Sequence, residues 1–350
     1  MERAKVAITM GDPAGIGPEI VVKALCKADV YEKCIPVVIG DYEALNDAVR
    51  FCKLDLSFNE IKSISEAKGQ VGVIDYINLG YLKPNSWEYK KNSVLGGESS
   101  FNYIIYAIKL AMEKQVSAVI TAPISKESIN MAGHDYSGHT EIFADYTKTP
   151  DYAMLLASGN MRVIHVTTHC ALREACERIK KERVLKVIQL ADEGLRLLGV
   201  DSPKIVVAGL NPHCSENGLF GKEEQEEIVP AIEEARKAGI KVFGPEPADT
   251  VFIKCKGGLY DVVVAMYHDQ GHIPLKLSAF EYDSATGKYS SVSGINCTIG
   301  LPVVRSSVDH GTAFGKAGEG RANEQSMLDA IFAGIEIAKN KFGSKQFNNY

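Results

Sequence analysis

Short apolar runs alternate with amphipathic stretches along most of this chain. Val6–Met10, Ile35–Gly40, Gly72–Ile77 and Val116–Pro123 read as short buried strands, while Pro18–Lys27 and Phe101–Lys114 carry apolar residues at helical spacing. The rhythm continues further on. Arg173–Leu198 reads as one long amphipathic helix stopped at Gly199, and Glu223–Gly239 as another, acidic in its first turn and basic in its last, as the helix dipole favours. Strands alternating with helices predict a mainly parallel sheet covered by helices, an α/β fold.

Three further apolar runs each lead to a histidine: Arg162–His169, Lys204–His213 and Asp261–His268. If the three are parallel strands of one sheet, their carboxyl ends open onto the edge where open α/β sheets hold ligands. His169, His213 and His268 would then converge, and three neutral imidazoles with an open position suit a divalent ion that must also touch a substrate. The alternative is that each histidine caps a strand or bonds a loop.

A chain of 350 residues exceeds what one core usually organises, so two domains are expected. A net charge of −5, with no dense basic run, argues against a nucleic-acid partner, so an anionic substrate must be met by local Lys and Arg. No stretch of 18 uncharged apolar residues occurs and the N-terminal segment has no signal-peptide character, which predicts a cytoplasmic protein with no membrane partner. The eight cysteines form no C-x-x-C pair, as in a chain with reduced thiols.

Two glycine-rich turns carry chemistry. Thr9–Glu19 runs from a strand into a helix, with Pro18 at a favourable first helical position, and Asp309–Asn323 alternates glycine with polar residues that can wrap a nucleotide through backbone amides. The polar stretch Glu281–Gly294, between Lys276 and Asn296, reads as a surface hairpin or flap turning at Ala285-Thr286-Gly287.

The motifs GDxxGIGPE and HGTAxxxAGxGxAN resemble the end motifs of the isocitrate and isopropylmalate dehydrogenase superfamily. Between them, Ser137-GHTE, Val166-TTH, Leu210-NPH, Pro247-ADT, Tyr267-HDQG with Lys276, and Asn296-CTIGLPVVR follow the order of the 4-hydroxythreonine-4-phosphate dehydrogenase family, from about Val6 to Ala330. The resemblance implies a two-domain α/β/α sandwich with its active site in the interdomain cleft. Residues 1–135 plus 295–350 would form the first domain with the cofactor loop, and 136–294 the second with the metal ligands and dimer contacts. It implies a homodimer with active sites at the interface, and a divalent metal on His169, His213 and His268, one of them from the partner subunit. Zinc suits that set first, with magnesium, cobalt or manganese compatible.

NAD or NADP would bind through Gly311, Thr312, Ala313, Gly318, Gly320 and Asn323, although Phe314-Gly315-Lys316 stands where superfamily members usually carry an acid for the ribose. Substrate contacts carry over to His139, Thr140, Lys276, Asn296 and Arg305, consistent with what a phosphate or carboxylate needs. The implied reaction oxidises the secondary alcohol of a small 4-phosphorylated hydroxy acid of the 4-hydroxythreonine-4-phosphate type, followed by decarboxylation to an aminoketone phosphate. Lys276 is the first candidate for the base, with His139 and Asp249 as further catalytic candidates. Because residues 281–293 lengthen a connection that is short in pyridoxine-branch members, a 4-phospho-D-erythronate or threonate dehydrogenase is the alternative. A metal-free phosphate acyltransferase or a zinc hydrolase or lyase is more distant.

Overall fold

The computed structural model describes residues 3–284, 288–292 and 294–347. Its strands are β1 (Lys5–Thr9), β2 (Ile35–Gly40), β3 (Ser57–Glu60), β4 (Val73–Asn78), β5 (Ala118–Thr121), β6 (Ala153–Ser158), β7 (Met161–His165), β8 (Ile205–Ala208), β9 (Val242–Glu246), β10 (Val262–Ala265), β11 (Phe280–Asp283), β12 (Lys288–Val292), β13 (Ile295–Ile299) and β14 (Arg305–Val308). The chain divides into two units, Met1–Pro150 with Leu301–Tyr350, and Asp151–Gly300. The boundaries expected from sequence fell at 135/136 and 294/295. Two elements set the observed ones: the helix His139–Tyr146 packs on the helix Val94–Met112 of the first unit, and β13 pairs with β6 of the second.

In the first unit the strands run β3-β4-β2-β1-β5-β14, all parallel. Val6, Ile8, Val38 and Ile120 are fully buried, since strands covered by helices on both faces carry near-continuous apolar runs. Ser93 caps the helix Val94–Met112 by accepting the Gly96 amide at 3.0 Å. Gly11 turns the chain after β1 at φ +78°, where a Cβ would lie 2.4 Å from the Pro123 carbonyl oxygen. Only glycine fits that crossing.

In the second unit the order is β13-β6-β7-β10-β8-β9. β6 is antiparallel to both β13 and β7, and the remaining pairs are parallel. The three strands that precede the histidines are therefore adjacent and parallel, with their carboxyl ends on one edge. Their core joins Leu156, Val163, Val206 and Val263 to Val251 and Leu275 of the covering helices. Each such side chain contributes roughly 1.5–3 kcal/mol on burial. The region read as one helix is two, Leu172–Arg178 and Lys181–Leu197. β11 and β12 form an antiparallel hairpin where the flap was expected, and its turn at Ala285–Gly287 lies outside the described residues. No helix among the described residues is long and apolar enough to cross a membrane.

Candidate active site

At the carboxyl edge of β7 and β10 a cleft of about 580 Å³ is lined by His169, Cys170, Leu172, Tyr267, His268 and Asp269. β7 ends at His165, but its pairing continues, with the Val166 and Thr167 amides donating to Ala265 and Met266, and this carries His169 out to the cleft. His268 opens the helix His268–Ala279, and its Nδ1 lies 2.7 Å from Asp269 Oδ1. The two imidazole centres are 5.8 Å apart. Two imidazoles sharing one ion at about 2.0–2.1 Å per bond hold their ring centres about 5–6 Å apart, a spacing this pair shares.

His213 does not complete a triad within the chain. It follows β8 on the same edge, but in a turn where its ring centre lies 6.5 Å from Phe220, and among the described residues no three His, Cys, Asp or Glu side chains converge as a metal site. Instead the structure gathers two histidines, His272 and His165, for which no metal role was expected. His272 stacks on His268 at 3.6 Å and 11°, and His165 lies 4.7 Å behind His272. Burial holds His272 neutral, with its pKa down at about 4, and neighbouring His268 adds to the effect. His165 is pushed to about 3, first by burial and then by His272. The helix reaches this position because position 271 is glycine: a Cβ there would stand 2.4 Å from His165 Nε2 and 2.5 Å from Val163 Cγ1.

Lys276 follows His268 by eight residues on the same helix, with Nζ 4.7 Å from the centre of the Phe280 ring. Asn296 is half-buried on β13. Asp249 is exposed in the first turn of the helix Ala248–Lys256, where its charge reaches Cys214.

The first unit holds the other predicted groups. Arg305 begins β14 at 3% exposure, donating to Thr121 Oγ1 at 3.1 Å, with its guanidinium 6.0 Å from the Phe143 ring centre. His139 starts the helix His139–Tyr146, followed by buried Thr140. The Nε2 of His139 is buried without a hydrogen-bond partner among the described residues. Burial, then Arg305, then Lys126 hold its pKa well below the usual histidine range. A buried guanidinium beside a neutral imidazole is a corner suited to an oxyanion.

The two glycine-rich turns meet in the same unit. Ile16 N donates to Thr312 O at 3.0 Å, and a Cβ on Gly15 would stand 2.9 Å from Thr312 Cβ. Lys23 donates to the carbonyls of Gly320 and Ala322 at 2.9 and 2.8 Å, and Glu19 accepts the Ala322 amide. Ala313, Gly318 and Gly320 take left-handed backbone, Gly311 has open space where its Cβ would be, and Asn323 caps the C-terminal helix by accepting from Gln325 N. These bonds brace the loop Asp309–Asn323 against the first glycine-rich turn. Sequence reading missed the brace. It also missed Asp12, fully buried after β1, whose carboxyl burial pushes up in pKa against the amide of Ala14.

Residues 32–333 match the family described as pyridoxal phosphate biosynthetic protein PdxA. The chain belongs to that family. It is 44% identical to the D-threonate 4-phosphate dehydrogenase of Cupriavidus necator, over 95% of this chain and 97% of the relative. The crystal structure of 4-hydroxythreonine-4-phosphate dehydrogenase from Klebsiella pneumoniae superposes with a TM-score of 0.82 at 42% identity, covering 96% of this chain and 98% of that one. That of a 4-hydroxythreonine-4-phosphate dehydrogenase from Burkholderia phymatum gives 0.78 at 41%, covering 96% and 99%. The PdxA family places this chain among dehydrogenases, in the α/β class expected from sequence.

Proposed function

We propose that this chain is a divalent-metal-dependent NAD(P) dehydrogenase acting on the secondary alcohol of a small 4-phosphorylated hydroxy acid, with D-threonate 4-phosphate as the preferred substrate. The reading rests on the corner of buried Arg305 and neutral His139, whose charge and hydrogen-bonding groups suit an oxyanion. The relative from Cupriavidus necator and the hairpin between Lys276 and Asn296 support the hydroxy acid, whereas 4-hydroxythreonine 4-phosphate, favoured by the names of the solved relatives, is the second reading.

His169 and His268, with His213, would hold the ion, which supplies electrophilic assistance to an alcohol and a developing enolate, while a nicotinamide cofactor supplies the hydride acceptor. Arg305 offers a bidentate fork to phosphate, and Thr140 and His139 add hydrogen-bonding groups. The turn at Gly311–Ala313 and Gly318–Gly320 would hold the dinucleotide through backbone amides. Lys276 takes the hydroxyl proton as the C–H leaves as hydride, which yields a β-keto acid. Its C1–C2 bond then breaks, carbon dioxide leaves, and protonation of the enolate gives a hydroxyketone phosphate, or an aminoketone phosphate from the amino substrate. The active molecule is a homodimer in the cytoplasm, with a second subunit completing the metal site.

The test is a steady-state comparison of both substrates with NAD and NADP, with zinc, cobalt, manganese or magnesium. At least tenfold higher kcat/KM on D-threonate 4-phosphate is expected. A reversed ratio establishes the second reading, and inactivity on both overturns the substrate class.

A further inference from the structure

Five consecutive non-glycine residues, His213 to Asn217, have φ between +45° and +64°, and Gly218 follows at +94°. For L-residues each left-handed position costs roughly 1–2 kcal/mol, and such runs persist only where the surroundings over-determine them. Those surroundings are visible. Glu224, 2% exposed, accepts the amides of Leu210 and Asn211 on Oε1 at 2.8 and 2.7 Å and Asn211 Nδ2 on Oε2 at 2.9 Å. Asn211 Nδ2 also donates to Glu223 at 2.8 Å, and Ser215, 1% exposed, closes the far side by accepting the amides of Gly218 and Phe220. Gln270 joins this turn to the helix of His268: its Oε1 accepts Met266 N at 2.6 Å and its Nε2 donates to Gly209 O at 2.8 Å.

We propose that Glu224, with Gln270, is a positioning residue for His213: its buried carboxylate locks the left-handed turn that presents the imidazole, and Gln270 fixes that turn to the strand end carrying His268. This rests on the reading of His213 as a metal ligand. The carboxylate touches no reacting atom. It supplies the backbone amides of the Leu210-Asn211 step with partners that relaxation into ordinary backbone would forfeit.

The experiment compares full-length wild type, Glu224→Gln, Asn211→Ala and His213→Ala by Co²⁺ titration of the visible absorption bands and by amide hydrogen exchange of the metal-free proteins. Asn211→Ala removes donors from the same clamp and stands in if Glu224→Gln does not fold. The clamp variants should exchange faster at 210–218 and bind Co²⁺ about tenfold or more weakly, as loss of groups supporting a ligand does elsewhere, with the wild-type band shape recovered at saturation. His213→Ala should change the band shape itself. Faster exchange with Co²⁺ affinity within twofold of wild type, while His213→Ala weakens binding, overturns the positioning role and leaves the metal reading standing. An unchanged Co²⁺ titration in His213→Ala refutes the metal reading, and the role of Glu224 in metal binding falls with it.

Discussion

The ammonium of Lys23 lies 2.9 Å from the carbonyl oxygen of Gly320, pinning the loop Asp309–Asn323 to the helix that leaves the first glycine-rich turn. Its partner Glu19, 2.8 Å away, is 1% exposed and also holds the Ala322 amide. Removing the cation leaves that carboxylate buried without a charge partner, a loss of about 3–5 kcal/mol for fully buried pairs and less here, since Lys23 retains 15% side-chain exposure. Lys23→Met should lower the melting temperature by several degrees and raise KM for NAD or NADP more than it lowers kcat. An unchanged KM would show that the brace does not shape the cofactor loop.

Sequence patterning located the strands well because burial on both faces writes itself as apolar runs. It also read the runs before His169, His213 and His268 as parallel strands of one sheet, which they are. Long-range contacts left no such mark. The helix expected over Arg173–Leu198 breaks at Ile179-Lys180 without glycine or proline, because Glu227, 46 residues on, accepts the Lys181 amide at 2.7 Å and caps a new helix start. The left-handed turn at His213–Asn217 was equally illegible: Cys214, Ser215 and Glu216 are poor left-handed formers, and the carboxylate that clamps the Leu210 and Asn211 amides just before the turn comes from a later segment. His272 could have been suspected, since it falls one helical turn after His268.

His139 sets a pH dependence. Its pKa is lowered on folding by burial, Arg305 and Lys126, so the unfolded chain binds a proton near pH 6.5 that the folded chain refuses. The stability tied to a neutral His139 is complete above that pH and is lost as pH falls below it, at up to about 1.4 kcal/mol per pH unit. His139→Asn should unfold in urea with a shallower pH slope between pH 6.5 and 5 than wild type. Parallel slopes would place His139 in solvent contact.

The helix His268–Ala279 approaches β7 so closely that Gly271→Ala is an overpacking substitution. The added methyl meets His165 and Val163 at about van der Waals overlap. Such strain costs typically 1–3 kcal/mol, and an outward shift of the helix that relieves it carries His268 along. We expect lower thermal stability of the metal-free protein together with weaker Co²⁺ binding. Loss of stability at wild-type affinity would mean that the helix adjusts without moving His268.

Arg305 separates charge from geometry. Buried at the start of β14 and oriented by Thr121 and Phe143, its planar fork can meet two phosphate oxygens at once, which a lysine ammonium cannot. Arg305→Lys keeps the charge but loses the fork, so KM for the phosphorylated substrate should rise about tenfold or more, matching roughly 1.4 kcal/mol, while KM for the dinucleotide stays within twofold. Arg305→Ala should cost more, because His139 and Thr140 then face the anion alone, and inorganic phosphate should cease to inhibit. If instead Arg305→Lys raises the dinucleotide KM and spares the substrate, the guanidinium serves the cofactor and the oxyanion corner must be reassigned.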